Sequence, residues 1–342
     1  MKGVAVVGAG SWGTAVAALL GAKGIRVTMW ARDEEAAARI TAEHRNPRHL
    51  SDVVLPDAVV ATSDVHAAVS GAEVVVVATP SHAVRDIAEA MRGAIGPQTP
   101  VVSLAKGIER GTLLRMTQVL AEVLGRPERL AALSGPNHAE EVSVGIPSAT
   151  VVAAYDETVG LELRDLFSTP AFRVYTNPDV VGVEIAAATK NVIAVAAGMS
   201  DGLGYGDNTK ATLMTRGLAE MARLGTRLGA NPLTYMGLAG VGDLIATCTS
   251  RHSRNRALGE HVARGGTVES FAEQTRMVAE GALACVAVDE LGRQAGVDMP
   301  ITHQVRAILY EGASVRSAAG ALMGREAKDE LHGMGLVDDE EA

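Results

Sequence analysis

Short, nearly continuous apolar runs alternate with amphipathic stretches through the first half of the chain. Amphipathic stretches with helical spacing include residues 14–24, 33–44 and 81–91. The runs that favour strands lie at residues 3–10, 26–32, 72–80, 99–107, 130–136 and 148–155. Buried strands separated by helices are typical of a mostly parallel sheet covered on both faces. The pattern therefore predicts an α/β fold with a doubly wound sheet.

The pattern changes near Asn177-Pro178-Asp179, which combines a chain break with a helix-cap signal. Beyond it, Ala-rich segments with helical spacing are separated by Gly-rich turns, and no convincing strand pattern recurs. We therefore expect residues 1–178 to form the α/β domain and residues 179–330 to form an all-helical C-terminal domain. The remaining residues, 331–342, end in DDEEA and are expected to form an acidic tail.

The composition is that of a globular protein with little affinity for polyanions. Hydrophobic residues make up 47% of the 342 residues, and the net charge of −9 argues against a nucleic acid as partner. A few local cations could still bind a small phosphorylated substrate. The two cysteines, Cys248 and Cys285, lack CxxC spacing, and no His, Cys or Asp residues cluster at metal-ligand spacing. We therefore expect a reducing, cytoplasmic location and no metal site.

The N-terminal run MKGVAVVGAGSWGTAVAALLGA has one Lys before a long uncharged stretch, as signal peptides do. Five glycines interrupt its first 21 residues, and Ser11 and Trp12 fall where a signal peptide has its apolar core. No other stretch is apolar enough to predict a membrane span. We therefore expect no membrane insertion, and the glycines need another explanation.

Three of these glycines, Gly8, Gly10 and Gly13, have GxGxxG spacing. The spacing is informative because it follows a predicted strand and opens a predicted helix. In such a turn the first glycine permits a tight bend, the second lets the backbone approach a pyrophosphate, and the third lets helix and strand pack closely. The helix N-terminus then offers N–H groups to the anion. The sequence therefore predicts a Rossmann-type dinucleotide-binding domain.

The end of the second predicted strand indicates which dinucleotide binds. An NAD site usually has an acidic residue here, which binds the ribose hydroxyls. This strand ends MWARD, with Arg32 before Asp33. An arginine suits the 2′-phosphate of NADP, because its guanidinium binds phosphate through two parallel hydrogen bonds. We predict NADP as the cofactor, with NAD as an alternative because Asp33 could still bind a ribose.

Lys190 lies in the apolar segment EIAAATKNVIAVAAG, residues 184–198. On a helix it would share its face with alanine and isoleucine side chains, and no carboxylate lies three or four residues away. An unpaired buried ammonium is costly. We therefore expect Lys190 to have a partner from elsewhere in the chain or a lowered pKa, and the small alanines around it leave room for a ligand to approach. In a purely structural role, Lys190 would instead pair with a distant acid or reach solvent at the helix edge.

Three other segments place polar side chains where ligands bind. Lys106 follows an apolar strand, and open α/β sheets bind ligands at the carboxyl ends of their strands. Asp243 follows the Gly-rich turn GLAGVG. Ser253, Arg254 and Asn255 lie at a predicted helix N-terminus, where such residues can bind a phosphate.

Taken together and in this order, these segments resemble the bacterial NAD(P)-dependent glycerol-3-phosphate dehydrogenases. The resemblance extends over nearly the whole chain and is carried by GAGSWGTA, NPRHLSDVVLP, VVVVATPSHAV, SLAKGIE, LSGPNHAEEV, KNVIAVAAG, DGLGYGDNTKA, GLAGVGDLIATCTS, SRNRALG and VAEG. It implies a Rossmann domain followed by a helical substrate domain. It also implies reversible hydride transfer from NADPH or NADH to C2 of dihydroxyacetone phosphate, which gives sn-glycerol 3-phosphate for phospholipid synthesis.

The resemblance also implies a role for individual residues. Lys190 is implied to be the catalytic proton donor and acceptor. The implied substrate contacts are Lys106, Gly135, Asn137, Lys190, Asp243, Ser253, Arg254 and Asn255. Beyond the glycine turn, the implied cofactor contacts are Ser11, Trp12, Arg32, His49, Lys106, Ala139, Arg254, Val278 and Glu280. This chain departs from many relatives at Asn137, where they carry Ser or Thr, and it has His49 at a position that is often aromatic.

Two kinds of rival remain at this point. Hydroxyacid dehydrogenases and ketopantoate reductases also join a Rossmann domain to a helical one and use a lysine, but they lack SRN after GVGD. A non-catalytic NADP sensor would need the glycine turn and Arg32, but not Lys190, Asp243 and Arg254 together. The Ala-rich helices are also compatible with a homodimer.

Overall fold

A computed structural model describes residues 3–275, 279–327 and 329–330. The chain forms two compact units. Unit 1 comprises Met1–Lys106 with Met116–Val180, and unit 2 comprises Gly107–Arg115 with Val181–Ala342. The sequence pattern assigned residues 107–115 to the first domain, whereas the structure groups them with the helical unit. The predicted acidic tail, 331–342, lies outside the described residues.

Unit 1 is built on an eight-stranded sheet in the order β3-β2-β1-β4-β5-β6-β7-β8. All neighbouring strands pair in parallel except β6 and β7, which are antiparallel. The strands are β1 Gly3–Val7, β2 Arg26–Trp30, β3 Val59–Thr62, β4 Val74–Val77, β5 Val101–Ser103, β6 Leu130–Ser134, β7 Ser148–Ala154 and β8 Phe172–Asn177. Strand order departs in both directions from β1, so the predicted Rossmann-type doubly wound sheet is confirmed.

Helices connect the strands of unit 1. They are α1 Ser11–Ala22, α2 Glu34–Glu43, α3 Val65–Val69, α4 Val84–Met91, α5 Met116–Leu124, α6 Ala139–Val142 and α7 Glu157–Phe167. Every residue of the central strand β4 is buried, as expected for a strand covered on both faces. The apolar runs did not predict β3 and β8, which are the two edge strands and are only partly buried.

Unit 2 is helical, and no strand occurs among its described residues, as predicted. Its helices are α8 Val180–Gly202, α9 Asp207–Arg227, α10 Asp243–Thr249, α11 Arg254–Ala263, α12 Val268–Thr275, α13 Glu280–Ala295, α14 Pro300–Tyr310 and α15 Val315–Met323. By length and hydropathy alone α8 could cross a membrane, but 94% of its most apolar window is buried inside the protein. Helix α8 therefore has the burial of a core helix, which explains its run of Ala, Val and Ile.

Helices α8 and α11 approach closely enough that their backbones touch. A Cβ atom added at Gly198 of α8 would lie 1.9 Å from the carbonyl oxygen of Arg256, and one at Gly259 of α11 would lie 2.0 Å from that of Val195. Both contacts are to backbone atoms, which cannot move aside without separating the helices. The absence of a side chain at these two positions lets the first two turns of α11 pack directly against α8.

A buried carboxyl group joins α9 to α14. Glu220 is 1% exposed, and its carboxylate accepts hydrogen bonds from the backbone N–H of Ile301 at 2.5 Å and from the hydroxyl of Thr302 at 3.2 Å. These bonds cap the start of α14. Burial nevertheless raises the pKa of Glu220 to about 7, although the hydrogen bonds and Arg223 act in the opposite direction.

We expect this raised pKa to make the stability of unit 2 depend on pH. An acid whose pKa is higher in the folded state binds more protons when folded, so its contribution is complete below about pH 4.5 and is lost as the pH rises through about 7. The change amounts to up to about 3 kcal/mol. Urea unfolding of the wild type and Glu220→Gln across this range should show a difference that varies with pH. A constant difference would contradict the assignment.

Candidate active site

The glycine turn between β1 and α1 has the geometry that a dinucleotide phosphate needs. Gly8 has a φ of +123°, and a Cβ atom there would lie 2.7 Å from the carbonyl oxygen of Ala78. A Cβ atom at Gly13 would lie 1.9 Å from the carbonyl oxygen of Gly8. At Gly10, by contrast, it would meet no described atom within 4 Å, and Gly10 caps α1 without a side-chain hydrogen bond. The turn is therefore tightly packed inward and open towards the helix N-terminus, which fits an anion.

Buried polar groups near this turn support the same interpretation. Thr79 follows β4, the strand beside β1, and its hydroxyl is buried without a hydrogen-bond partner among the described residues. The same holds for the indole N–H of Trp12, whose ring packs against Phe172 with centroids 6.3 Å apart. Strands β1 and β4 lie at the point where the strand order reverses, which is where open α/β sheets bind ligands. The residues present therefore fit a dinucleotide.

Asn46 belongs to this region, although no pattern in the sequence indicates a role for it. It is buried, and its amide nitrogen donates to the carbonyl oxygen of Ala9 and to the hydroxyl of Thr14, both at 2.8 Å. Its amide oxygen accepts from the backbone N–H of Arg48 at 3.0 Å and of His49 at 3.2 Å. Asn46 thus ties the loop that carries the predicted cofactor contact His49 to the glycine turn.

Arg32 and Asp33, which follow β2, lie in different surroundings. Arg32 is exposed. The carboxylate of Asp33 caps α2 by accepting from the backbone N–H of Ala36 at 2.8 Å, and it pairs with Arg48 at 2.8 Å. The hydrogen bond from Ala36, followed by the one from Arg48, lowers the pKa of Asp33. Asp33 is therefore engaged by protein groups, which favours the phosphate-binding interpretation of Arg32 over a ribose-binding Asp33.

Two predicted substrate residues of unit 1 meet at the ends of β5 and β6. The amine of Lys106 donates to the carbonyl oxygen of Gly135 at 3.2 Å. Gly135 has a φ of +154°, and a Cβ atom there would lie 2.9 Å from the Cα atom of Thr150, so only glycine fits. Both amide atoms of Asn137 are buried without a partner among the described residues. Asn137 can therefore bind a ligand at these strand ends, where Ala139 begins α6.

Lys190 is buried in unit 2 and has a charged partner. It is 4% exposed, and its amine lies 2.9 Å from a carboxylate oxygen of Asp243, which is 2% exposed. The amine also donates to the hydroxyl of Thr247 at 2.6 Å, and this hydroxyl donates to the backbone carbonyl oxygen of Asp243 at 2.6 Å. The expectation of a partner from a distant part of the chain is confirmed, and the solvent-reaching alternative is wrong.

The backbone before Asp243 explains how the acid reaches this position. Residues Leu238–Gly242 form a wide π-type turn, with Gly240 in a non-helical conformation. A Cβ atom at Gly240 would lie 2.1 Å from the carbonyl oxygen of Tyr235. The Gly-rich sequence thus lets the chain fold tightly before α10, and Asp243 and Thr247 then lie one turn apart on that helix, both facing Lys190. Sequence reasoning found Asp243 and missed Thr247.

The SRN segment lies at the start of α11, as predicted. Ser253 caps this helix by accepting from the backbone N–H of Arg256 at 3.2 Å, and Arg254 is exposed. Asn255 is buried, donates to the side-chain oxygen of Asn191 at 2.9 Å and accepts from the backbone N–H of Gly281 at 2.8 Å. Asn255 therefore links α11 to α8 and α13 and holds the helix N-terminus in place, a function that the sequence pattern did not reveal.

One of the two remaining predicted contacts, Glu280, lies at the start of α13. Glu280 is the first residue of this helix, where a carboxylate suits the positive end of the helix dipole. Val278 lies outside the described residues.

Among the described residues, no group of three or more His, Cys, Asp or Glu side chains could hold a metal ion. Burial raises the pKa of both Cys248 and Cys285 to about 12.

A cavity of about 1360 Å³ lies elsewhere in unit 2, among α8, α9, α14 and α15. None of the predicted site residues lines it. The assignment of the site therefore rests on the buried ion pair, the unpartnered polar groups and the glycine turn rather than on cavity size.

A phosphate-binding glycine turn and a buried lysine that can transfer a proton place the protein in the class of Rossmann-type, dinucleotide-dependent dehydrogenases. Within that class, residues 3–160 match the family model described as NAD-dependent glycerol-3-phosphate dehydrogenase N-terminus. Residues 179–320 match the model of the C-terminus of the same family. The chain belongs to the NAD-dependent glycerol-3-phosphate dehydrogenase family.

Individual relatives agree with this assignment. The chain is 51% identical to glycerol-3-phosphate dehydrogenase [NAD(P)+] of Nocardia farcinica, over 96% of this chain and 100% of the relative. It is 48% identical to the protein of the same name from Moorella thermoacetica, over 96% and 98%. The crystal structure of glycerol-3-phosphate dehydrogenase from Coxiella burnetii matches 95% of this chain and 99% of its own, with a TM-score of 0.91 and 35% identity. The resemblance seen in the sequence is confirmed.

Proposed function

We propose that this chain catalyses the reversible reduction of dihydroxyacetone phosphate to sn-glycerol 3-phosphate, with NADPH as the preferred cofactor and NADH as an alternative. The observation that carries this proposal is the buried pair of Lys190 and Asp243, in a chain that belongs to the glycerol-3-phosphate dehydrogenase family. The enzyme would act in the cytoplasm and supply phospholipid synthesis. The homodimer indicated by the Ala-rich helices stays a prediction.

The cofactor roles follow from unit 1. Gly8, Gly10 and Gly13 shape the turn that would hold the pyrophosphate, and Ser11 and Trp12 begin the helix whose N–H groups would bind this anion. Arg32 would bind the 2′-phosphate. The other residues proposed to contact the cofactor are His49, Lys106, Ala139, Arg254, Val278 and Glu280. When bound, the nicotinamide would supply the hydride for reduction of C2 of the substrate.

Lys190 would transfer the proton that balances the hydride. As C2 is reduced, negative charge develops on the carbonyl oxygen, and a buried ammonium group stabilises that charge and then protonates the oxygen. Asp243 and Thr247 hold the amine of Lys190 in one orientation through contacts of 2.9 Å and 2.6 Å. In the oxidation direction the neutral amine would accept the hydroxyl proton.

The remaining polar residues would bind the substrate away from the reacting carbon. Ser253 and Arg254 lie at the N-terminus of α11, where helix N–H groups and a guanidinium favour a phosphate. The side-chain amide of Asn255 has two N–H groups, and one of them donates to Asn191. The other would be available to the substrate, and the bond to Asn191 holds the start of α11 in place. Lys106, Gly135 and Asn137 would add contacts to the substrate. Binding energy from the phosphate would help to position the carbonyl for reaction.

A direct assay tests this proposal. The oxidation of NADPH and of NADH is followed in parallel with dihydroxyacetone phosphate and with dihydroxyacetone, which lacks the phosphate. We expect turnover with the phosphorylated ketone, sn-glycerol 3-phosphate as product, and a much lower kcat/KM for dihydroxyacetone. Cofactor binding without turnover would indicate the sensor alternative, and equal kcat/KM values for both ketones would contradict a phosphate-binding site.

Arg254→Ala should raise the KM for dihydroxyacetone phosphate by about 10-fold to 100-fold, because a hydrogen bond to a charged group contributes about 1.5–3 kcal/mol. The KM for dihydroxyacetone should change much less. Arg251→Ala is the matched control, since Arg251 is also exposed and lies just before α11. An unchanged KM for the phosphorylated substrate in Arg254→Ala would remove this residue from the phosphate site.

A further inference from the structure

The fold brings a second arginine, Arg48, to the residue that follows Arg32 after the end of β2. The guanidinium of Arg48 is 2.8 Å from a carboxylate oxygen of Asp33, the residue that follows Arg32. In sequence Arg48 is far from β2, so only the fold brings it here. The end of β2 is where Rossmann domains distinguish a ribose 2′-hydroxyl from a 2′-phosphate. Arg48 therefore places a second cation at the position that decides cofactor choice.

The position of Arg48 is fixed by buried contacts and not only by its exposed ion pair. Its backbone N–H donates to the amide oxygen of Asn46, and Asn46 in turn donates to Ala9 in the glycine turn and to Thr14 in α1. Asn46 is 2% exposed, so this link is protected from water. The loop that carries Arg48 is thus held to the same turn that would hold the pyrophosphate, and its distance from that turn is set by the fold.

We propose that Arg48 is a second specificity-determining residue that binds the 2′-phosphate of NADPH, and that Asp33 weakens this preference by competing for the same guanidinium. This inference rests on the proposed NADP dependence. When a 2′-phosphate is present, its charge of about −1.5 to −2 attracts Arg48 more strongly than a single carboxylate does. When NADH is bound instead, Arg48 keeps its pair with Asp33, and the site accepts the ribose without an unpaired cation.

Asp33 has two functions that a single substitution can separate. Its carboxylate caps α2 through Ala36 and also pairs with Arg48. Asparagine caps helices about as well as aspartate does, but it carries no charge. Asp33→Asn should therefore keep α2 intact and release Arg48 from its competing partner. Arg48→Gln removes the cation and leaves the cap in place.

The test uses two fragments of the cofactor, adenosine 2′,5′-bisphosphate and 5′-AMP, whose dissociation constants are measured by calorimetry on the full chain. Arg48→Gln should weaken binding of adenosine 2′,5′-bisphosphate by about 10-fold to 100-fold, as the loss of a hydrogen bond to a charged group does. Binding of 5′-AMP should change by less than about twofold, since the 5′-phosphate is not the group that Arg48 binds. Asp33→Asn should tighten binding of the 2′-phosphorylated fragment alone.

Arg45→Gln is the matched control, because Arg45 is exposed on the same loop and donates to the carbonyl oxygen of Ser51 instead. It should leave both dissociation constants unchanged. If Arg48→Gln alters both fragments equally, or neither, the inference is wrong. If the wild type does not distinguish the two fragments, the inference and the NADP preference both fail. A failure of the proposed catalytic function is seen separately, as no turnover of dihydroxyacetone phosphate with either cofactor.

Discussion

Lys190→Ala is expected to lower kcat by about 10²–10⁴-fold, the usual contribution of a positioned proton donor. The side chain is 5% exposed, and a water molecule in the place of its amine is a much weaker acid than an ammonium group. Because Lys190 is not among the residues proposed to bind the cofactor, the dissociation constant of NADPH should change by less than about twofold. Steady-state kinetics and a cofactor titration measure the two quantities.

Lys190→Arg is the informative companion variant. It keeps a positive charge but cannot readily give up a proton, because a guanidinium group stays protonated in proteins. If the lysine acted only as a fixed charge, arginine would restore much of the rate; if it transfers a proton, kcat should stay low. A Lys190→Ala enzyme with a kcat within a few-fold of the wild type would show that another group protonates the substrate.

Asp243→Ala is expected to destabilise the protein by about 3–5 kcal/mol, because it leaves the ammonium of Lys190 buried without its carboxylate partner. The charged partners are 5% and 3% exposed at their side chains, so water cannot solvate the remaining charge. For a unit of this size, the loss corresponds to a decrease in Tm of about 6 to 20 °C. Thermal unfolding with and without the substitution measures it.

The double variant Lys190→Met with Asp243→Val separates stability from catalysis. Replacing a buried ion pair by apolar residues of similar volume is often neutral or stabilising. The double variant should therefore recover most of the lost Tm while its turnover stays at the level of Lys190→Ala. A double variant as unstable as Asp243→Ala would show that the hydrogen bonds around Thr247, rather than the unpaired charge, account for the loss.

The central part of the fold could be predicted from the sequence because its strands are buried on both faces. Val74–Val77 gives a clear signal for this reason. The edge strands β3 and β8 were missed, since part of each remains exposed and the apolar signal is weaker. The grouping of residues 107–115 with unit 2 was also missed. One contact that joins residues 107–115 to unit 2 is a buried ion pair between Arg115 and Glu184, which are 69 residues apart. No local sequence pattern encodes such a contact.

The candidate site could be predicted where a residue breaks the local pattern. Lys190 is a charged residue within an apolar helix, and Gly8, Gly10 and Gly13 interrupt an apolar run. Each can therefore be recognised from its own segment as a candidate functional residue. Thr247 and Asn46 do not break the pattern of their segments, because Thr and Asn are ordinary residues there. Their importance comes from partners far away in sequence, 57 residues for Thr247 with Lys190 and 32 for Asn46 with Thr14. Such links depend on tertiary structure alone.

Chemical rescue of Lys190→Ala tests most directly whether the amine at position 190 protonates the ketone. Methylammonium is added to the variant during reduction of dihydroxyacetone phosphate by NADPH, with tetramethylammonium as a control that carries the same charge but has no N–H. The account predicts that the rate rises with methylammonium concentration and does not respond to tetramethylammonium. A rate that responds equally to both ions, or to neither, would contradict it.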